Sequence, residues 1–202
     1  MNAALALARL RRLDVPVLRT SDAAAALGQS KSAATMTLSR LAVAGLVTRV
    51  RQGVWWIDGA IDPYVLPEYL TAPLESYVSL HTALHLRGVI EQIPEVVYAV
   101  SLARTQQVRT RVAAFSIHHL APEVWGGFDV TPKGVKLATA EKALFDFAYL
   151  SAGRSRLFTS LPEVELPRGF DRKELRRWTS QIPSERSRTI TQRKLAELLG
   201  AA

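Results

Sequence analysis

The chain has 202 residues, 48% hydrophobic and 22% charged, with no cysteine and a formal net charge of +8 at pH 7. Its length accommodates two units with separate cores, the missing cysteines exclude disulfides, iron–sulfur clusters and thiolate zinc sites, and no apolar run approaches the roughly 18–20 residues that span a bilayer. The charge is divided: residues 1–60 carry +5, residues 61–149 carry −2 and residues 150–202 carry +5, so two basic ends suit a polyanion, whose bound counterions they would release.

The stretch "ALALARLRRL" spaces Leu5, Leu7, Leu10 and Leu13 helically with Arg9 and Arg12 outward, which predicts a first helix. Its arginines follow the apolar residues instead of preceding them, so the expectation is a cytoplasmic protein without a secretory signal. An extended stretch around Val17 and Leu18 leads to Thr20 or Ser21 as the N-cap of a short alanine-rich helix that ends at Gly28. Ser30 caps a third helix running to about Ala44 and stopping at Gly45. Two short helices joined by a tight turn form a helix-turn-helix.

At 100° per residue, Ala34, Leu38 and Leu41 share one face of the third helix, while Ser32, Thr35, Met36 and Ser39 lie opposite with Lys31 and Arg40 on the flanks. The helix contains no acid, whereas an ordinary surface helix carries Glu as well as Lys. Short side chains let a helix backbone sit deep in the DNA major groove, where hydroxyls bond base edges or phosphates. "LVTRVRQGVWWID" then reads as a hairpin with strands near 46–50 and 54–58 turning at Gln52-Gly53, which completes a winged helix. Arg49 and Arg51 fall at or beside the wing tip, and at least one of Trp55 and Trp56 packs beneath it. The candidate DNA contacts are Ser30, Lys31, Ser32, Thr35, Ser39, Arg40, Arg49 and Arg51.

"DGAIDPYVLPEYLTAP" holds three prolines and a glycine, placing a boundary near Gly59 between a DNA-binding unit, 1–59, and a second unit, 60–202. In the second, Ser79 should cap a helix containing Leu80, Ala83 and Leu84 that stops at Gly88, and "PEVVYAVSLA" and "AAFSIHHL" read as buried strands. "GVKLATAEKALFDFAYLS" runs from a strand into a Thr139-capped helix that buries Ala143, Leu144, Phe147, Ala148 and Leu150. Two helices close the chain, the first with a capping-box-like start from Asp171 and Glu174, the second capped by Ser184. The expected fold class is α+β: an N-terminal winged helix-turn-helix followed by a mixed α/β C-terminal domain ending in helices.

Arg172 and Arg176 lie one turn apart, as do Lys173 and Arg177, with Leu175 and Trp178 inward. Together with Arg186, Arg188, Arg193 and Lys194 they outline a second basic surface, suited to flanking DNA or an acidic partner; the alternative is solvated charge. Catalytic candidates do not converge. His81 and His85 have a zinc-compatible spacing but no third ligand, and His118, His119, Asp129, Glu141, Lys142 and Asp146 make no recognisable constellation. Glu141 suits the positive end of its helix, and Asp146 suits local bonding. No catalytic residue, metal or cofactor is expected.

The helix-turn-helix and hairpin followed by "YVSLHTALHLRG" (77–88) and "GVKLATAEKALFDFAYL" (134–150) resemble the AbiEi family, antitoxins and transcriptional regulators of type IV toxin-antitoxin and phage-defence systems, over nearly the whole chain. The ordered combination with Thr-Ala-Glu-Lys-Ala-Leu-x-Asp carries the resemblance. It implies an N-terminal domain that binds double-stranded DNA and represses its own operon at inverted repeats, and a C-terminal domain that counters a cognate nucleotidyltransferase toxin, functionally and by a contact that the sequence leaves open. Family wings read Arg-Gly-x-Tyr, whereas this chain inserts Gln52 and has tryptophan in place of tyrosine. One recognition helix reads too few base pairs for selectivity, so two copies per operator are expected. The alternative is a ligand-responsive winged-helix regulator whose C-terminal domain holds a small molecule.

Overall fold

The computed structural model describes residues 2–57, 59–152 and 163–200. Three helices come first, α1 (Ala3–Arg11), α2 (Thr20–Leu27) and α3 (Lys31–Val43), with strand β1 (Val17–Arg19) after α1 and the hairpin β2 (Thr48–Arg51) and β3 (Val54–Trp56) after α3. β3 lies between β1 and β2, antiparallel to both. Leu7, Leu10, Leu27, Leu38 and Leu41, spaced by helical turns, close on Trp55 to make a core. The strands are shorter than expected. Leu46 is exposed and precedes β2, and Asp58, expected at the end of the second strand, lies outside the described residues. The two-residue turn works because Gly53 adopts φ 77°, open to glycine at little cost.

The second helix is capped differently from expectation. It begins at Thr20, whose hydroxyl accepts the Trp55 indole N–H at 2.9 Å and so is committed to the core. The Asp22 carboxylate instead accepts the Arg19 backbone N–H at 3.0 Å.

A short 3-10 turn at Pro63–Val65 leads into α4 (Leu66–Thr71), β4 (Ser76–Val78), α5 (Leu80–Leu86), β5 (Val97–Ser101), β6 (Gln106–Arg109), β7 (Ala114–His119), β8 (Phe128–Val130), β9 (Lys136–Ala138), α6 (Ala140–Ala152), α7 (Arg172–Ser180) and α8 (Glu185–Gly200). The strands form one mixed sheet in the order β6-β7-β5-β4-β9-β8. β5/β7 and β4/β9 pair in parallel, and the remaining neighbours are antiparallel. The protein is therefore α+β, with eight α-helices and two sheets among the described residues.

Helix α6 was expected to bury one face. It is buried continuously from Lys142 to Ala148, because α5, α7, α8 and β9 pack around it, while Leu150 is only half-buried. Thr139 caps it, accepting the Lys142 N–H at 3.1 Å. At α7, Asp171 accepts the Lys173 N–H at 2.7 Å, but the reciprocal half of the expected box is replaced: the Asp171 N–H donates to Glu141 of α6 at 2.9 Å. That bond pins the start of α7 to the start of α6.

Ser79 stands at the N-cap position of α5, as expected, but its side chain makes no capping hydrogen bond. Its hydroxyl donates to the Asp146 carboxylate at 2.7 Å, beside the Tyr77 hydroxyl at 3.0 Å, and Asp146 also pairs with Lys142 one turn before it on α6. Both charged side chains are fully buried. The ammonium lies 4.8 Å from the Trp178 ring centre and 4.9 Å from that of Phe145, so aromatic faces replace part of its lost hydration. Burial pushes the Asp146 carboxyl up and the Lys142 ammonium down, and their attraction opposes both shifts. A Cβ on Gly127 would fall 2.7 Å from Trp178 and 2.8 Å from Lys142, so only glycine admits this packing.

A third apolar cluster joins residues from both sides of the boundary expected near Gly59. Val17, Val50, Val54 and Trp56 from the first sheet pack with Leu66 and Leu70 of α4 and with Val97, Ala99, Phe115 and Ile117 of the second sheet. Trp55 and Trp56, on opposite faces of β3, thus serve two different cores.

Candidate nucleic-acid interface

The exposed face of α3 is built by its buried one. Ala34, Leu38 and Leu41 are at most 1% exposed, which turns Lys31, Ser32, Thr35, Met36, Ser39 and Arg40 to solvent. Ser30 holds the N-terminus, accepting the Ala33 N–H at 3.3 Å, and its hydroxyl lies 3.1 Å from that of Ser32. No acid occupies the first turn, so the positive end of the helix dipole is uncompensated and favours anions. Thr35 donates its hydroxyl to the Lys31 carbonyl at 2.8 Å, leaving its oxygen as an acceptor and its methyl outward. Among the described residues neither Lys31 nor Arg40 is ion-paired.

The two hairpin arginines differ. Arg49 is exposed, its guanidinium 5.6 Å from the Trp55 ring centre. Arg51 sits beside the turn, as expected, but is half-buried and donates to the Leu70 carbonyl at 3.2 Å. Arg19 likewise donates to the Ala72 carbonyl at 2.6 Å. The carbonyl-rich C-terminal end of α4 therefore anchors both cations. Burial and the neighbouring Arg19 lower the Arg51 pKa from its ordinary value. A guanidinium with five N–H donors keeps others available.

The second basic surface is only partly free. Arg172, Lys173, Arg176, Arg177, Arg186 and Arg193 are exposed above buried Leu175 and Trp178. Arg188 is turned inward, donating twice to the Ile182 carbonyl at 2.7 and 3.1 Å, and Lys194 pairs with Glu197 at 3.3 Å. Between α7 and α8 lies a groove of about 700 Å³ with Leu175, Leu195 and Leu199 on its floor and Arg172 and Arg176 at its rim.

Apart from the Lys142–Asp146 pair, the titratable residues after Gly59 bond or pack against different neighbours. His81 packs against Tyr98 and Phe147, and His118 lies 2.9 Å from the Ser116 hydroxyl. Burial, helped by His81, lowers the His118 pKa from 6.5 to about 4. The backbone N–H of His119 donates to Thr105, and its ring faces the Ala103 carbonyl. Asp129 pairs with Arg87 at 2.8 Å. Among the described residues no group of three or more His, Asp or Glu is placed to hold a metal ion, and no helix is long and apolar enough to cross a membrane.

Arg109 and Arg111 carry no sequence signal of a shared site. They lie in the near-neutral middle of the chain, and only the β6–β7 turn brings them beside Arg49 and Arg51. No protein-family model and no curated protein matches the sequence.

Proposed function

We propose that the chain is a sequence-specific DNA-binding repressor of its own operon, in which residues 1–59 act as a winged helix-turn-helix. The observation that carries this reading is the outward face of α3, which is short, hydroxylated and cationic, with no acid anywhere along the helix. Lys31, Arg40 and Arg49 hold phosphates, while Ser32, Thr35 and Ser39 read or flank base edges, and Ser30 sets the helix end toward the backbone. The test is anisotropy with the duplex upstream of its own gene: Arg40→Ala should weaken binding to every duplex, and a Thr35 variant should change which duplex is preferred. Equal binding by both variants and the parent overturns the assignment.

The resemblance carried by residues 77–88 and 134–150 supports the second half of the proposal, a cytoplasmic AbiEi-like antitoxin that counters a nucleotidyltransferase toxin encoded beside it. Co-expression with the adjacent gene in a growth assay tests it; a full chain that fails to restore growth overturns it. The groove between α7 and α8 favours a second reading, a ligand-responsive regulator with a small molecule at that groove. A neighbouring nucleotidyltransferase gene supports the first reading, and an operon of catabolic enzymes supports the second.

A further inference from the structure

Four arginines converge on a cleft of about 310 Å³ at the seam between the two sheets: Arg49 and Arg51 from β2, Arg109 from β6, and Arg111 from the turn that follows. Among the described residues none of the four pairs with a carboxylate. Like charges gathered without a carboxylate repel one another, so an anion entering the cleft is favoured.

The cleft is rigidly made. Thr110 accepts the N–H groups of Val112 and Ala113 at 3.0 and 3.1 Å and donates its hydroxyl to the Ala113 carbonyl at 2.9 Å, which locks the turn. The Arg111 N–H reaches the Val50 carbonyl at 3.4 Å, tying that turn to β2, and Val112 and Ala113 pack into the shared apolar cluster. β6 is an edge strand on which Gln107 and Arg109 are exposed, alternating with half-buried Gln106 and Val108. Arg51 is held by the Leu70 carbonyl and the backbone of the turn is fixed, so a ligand has only the exposed Arg49, Arg109 and Arg111 side chains to order.

We infer that this cleft seats the phosphodiester backbone of the DNA duplex, so that Arg109 and Arg111 of the second unit extend the phosphate contacts made by the hairpin. The inference rests on the DNA-binding reading above. It assigns Arg109 and Arg111 a role in DNA affinity, without base preference, because guanidiniums on phosphates are blind to sequence.

The test uses the full chain, titrated with its upstream duplex and with a scrambled duplex between about 50 and 200 mM salt. Two lost phosphate contacts remove about 1.8 from the slope of log affinity against log salt, so the fall in affinity of R109A/R111A over that range should be about twelvefold smaller than the parent's on both duplexes. R109K/R111K should keep most of the slope, and the ratio of upstream to scrambled affinity should not change. Because the chain has no cysteine, Gln107→Cys gives a single attachment point for a photo-crosslinker, which should join the otherwise intact protein to duplex. A parental slope in R109A/R111A, with a reduced slope in R40A, overturns the inference and leaves the DNA reading standing. Inorganic phosphate bound at the cleft with no change in duplex slope marks a free-anion site, which also overturns it. No duplex binding by the parent protein removes both.

Discussion

Thr35 spends its hydroxyl proton on the Lys31 carbonyl, so it offers DNA one acceptor oxygen and one methyl group. It therefore suits an adenine or cytosine amine through the oxygen, or a thymine methyl through apolar contact. Thr35→Val keeps the methyl and Thr35→Ser keeps the oxygen. The two substitutions should shift base preference in different directions, each by about 1 kcal/mol, in a competition binding assay across single-base operator variants. His118 makes a separate prediction about acid. Its folded pKa of about 4 lies below the unfolded 6.5, so the unfolded chain takes up a proton first as pH falls. The stability this group contributes is whole above pH 6.5 and is lost progressively toward pH 4. Thermal melts of His118→Gln should be flatter than the parent's across that window; an unchanged slope would show that His118 does not control it.

At the scale of elements, α6 separates what periodicity can show from what it cannot. The apolar positions Ala143, Leu144, Phe147 and Ala148 were legible because a 3.6-residue period marks a buried face, and so were the two faces of α3. The local pairing of Asp146, with Lys142 four residues before it, was legible too, but the burial of that pair was not, since Tyr77 and Ser79 stand more than sixty residues away and are brought in only by β4 beside β9. The same long-range contact commits the Ser79 hydroxyl to the Asp146 carboxylate instead of to the start of α5, whereas Arg188 turns inward to the carbonyl of Ile182, only six residues before it. Lys142→Met leaves a buried carboxylate facing only hydroxyls, and should cost about 3–5 kcal/mol in urea unfolding. Adding Asp146→Leu removes the orphaned charge and should cost less than the sum of the two single changes, although Tyr77 and Ser79 then lack an acceptor. Additive costs would mean that the pair is not coupled. On α7, reversing Arg172, Lys173, Arg176 and Arg177 together should lower DNA affinity, growth rescue or both at an unchanged melting temperature, because all four are exposed. A quadruple variant that repressed and rescued like the parent would make the stripe solvated charge.

For the whole molecule, the decisive feature is that Val17, Val50, Val54 and Trp56 are buried against α4 and the second sheet. Residues 1–59 cut free would expose this apolar surface, so the isolated unit should be less stable and bind the operator more weakly than the full chain. Trp56→Ala in the intact protein removes the largest side chain of the seam and should cost about 3–5 kcal/mol. Under the DNA-binding proposal, the number of copies needed follows from what one helix can read. One α3 offers three or four reading residues, and each mismatched base pair costs only about 1–3 kcal/mol, so a single copy discriminates weakly against a genome of competing sites. Two copies on an inverted repeat double the number of bases read, with α3 helices centred one helical turn of DNA or a multiple of it apart. The prediction is a footprint over both half-sites, with half-site spacing that tolerates insertion of about ten base pairs better than five, since five rotate one site to the opposite side of the duplex. Protection of a single half-site at saturating protein, or equal tolerance of both insertions, would mean that one copy binds without regard to a second.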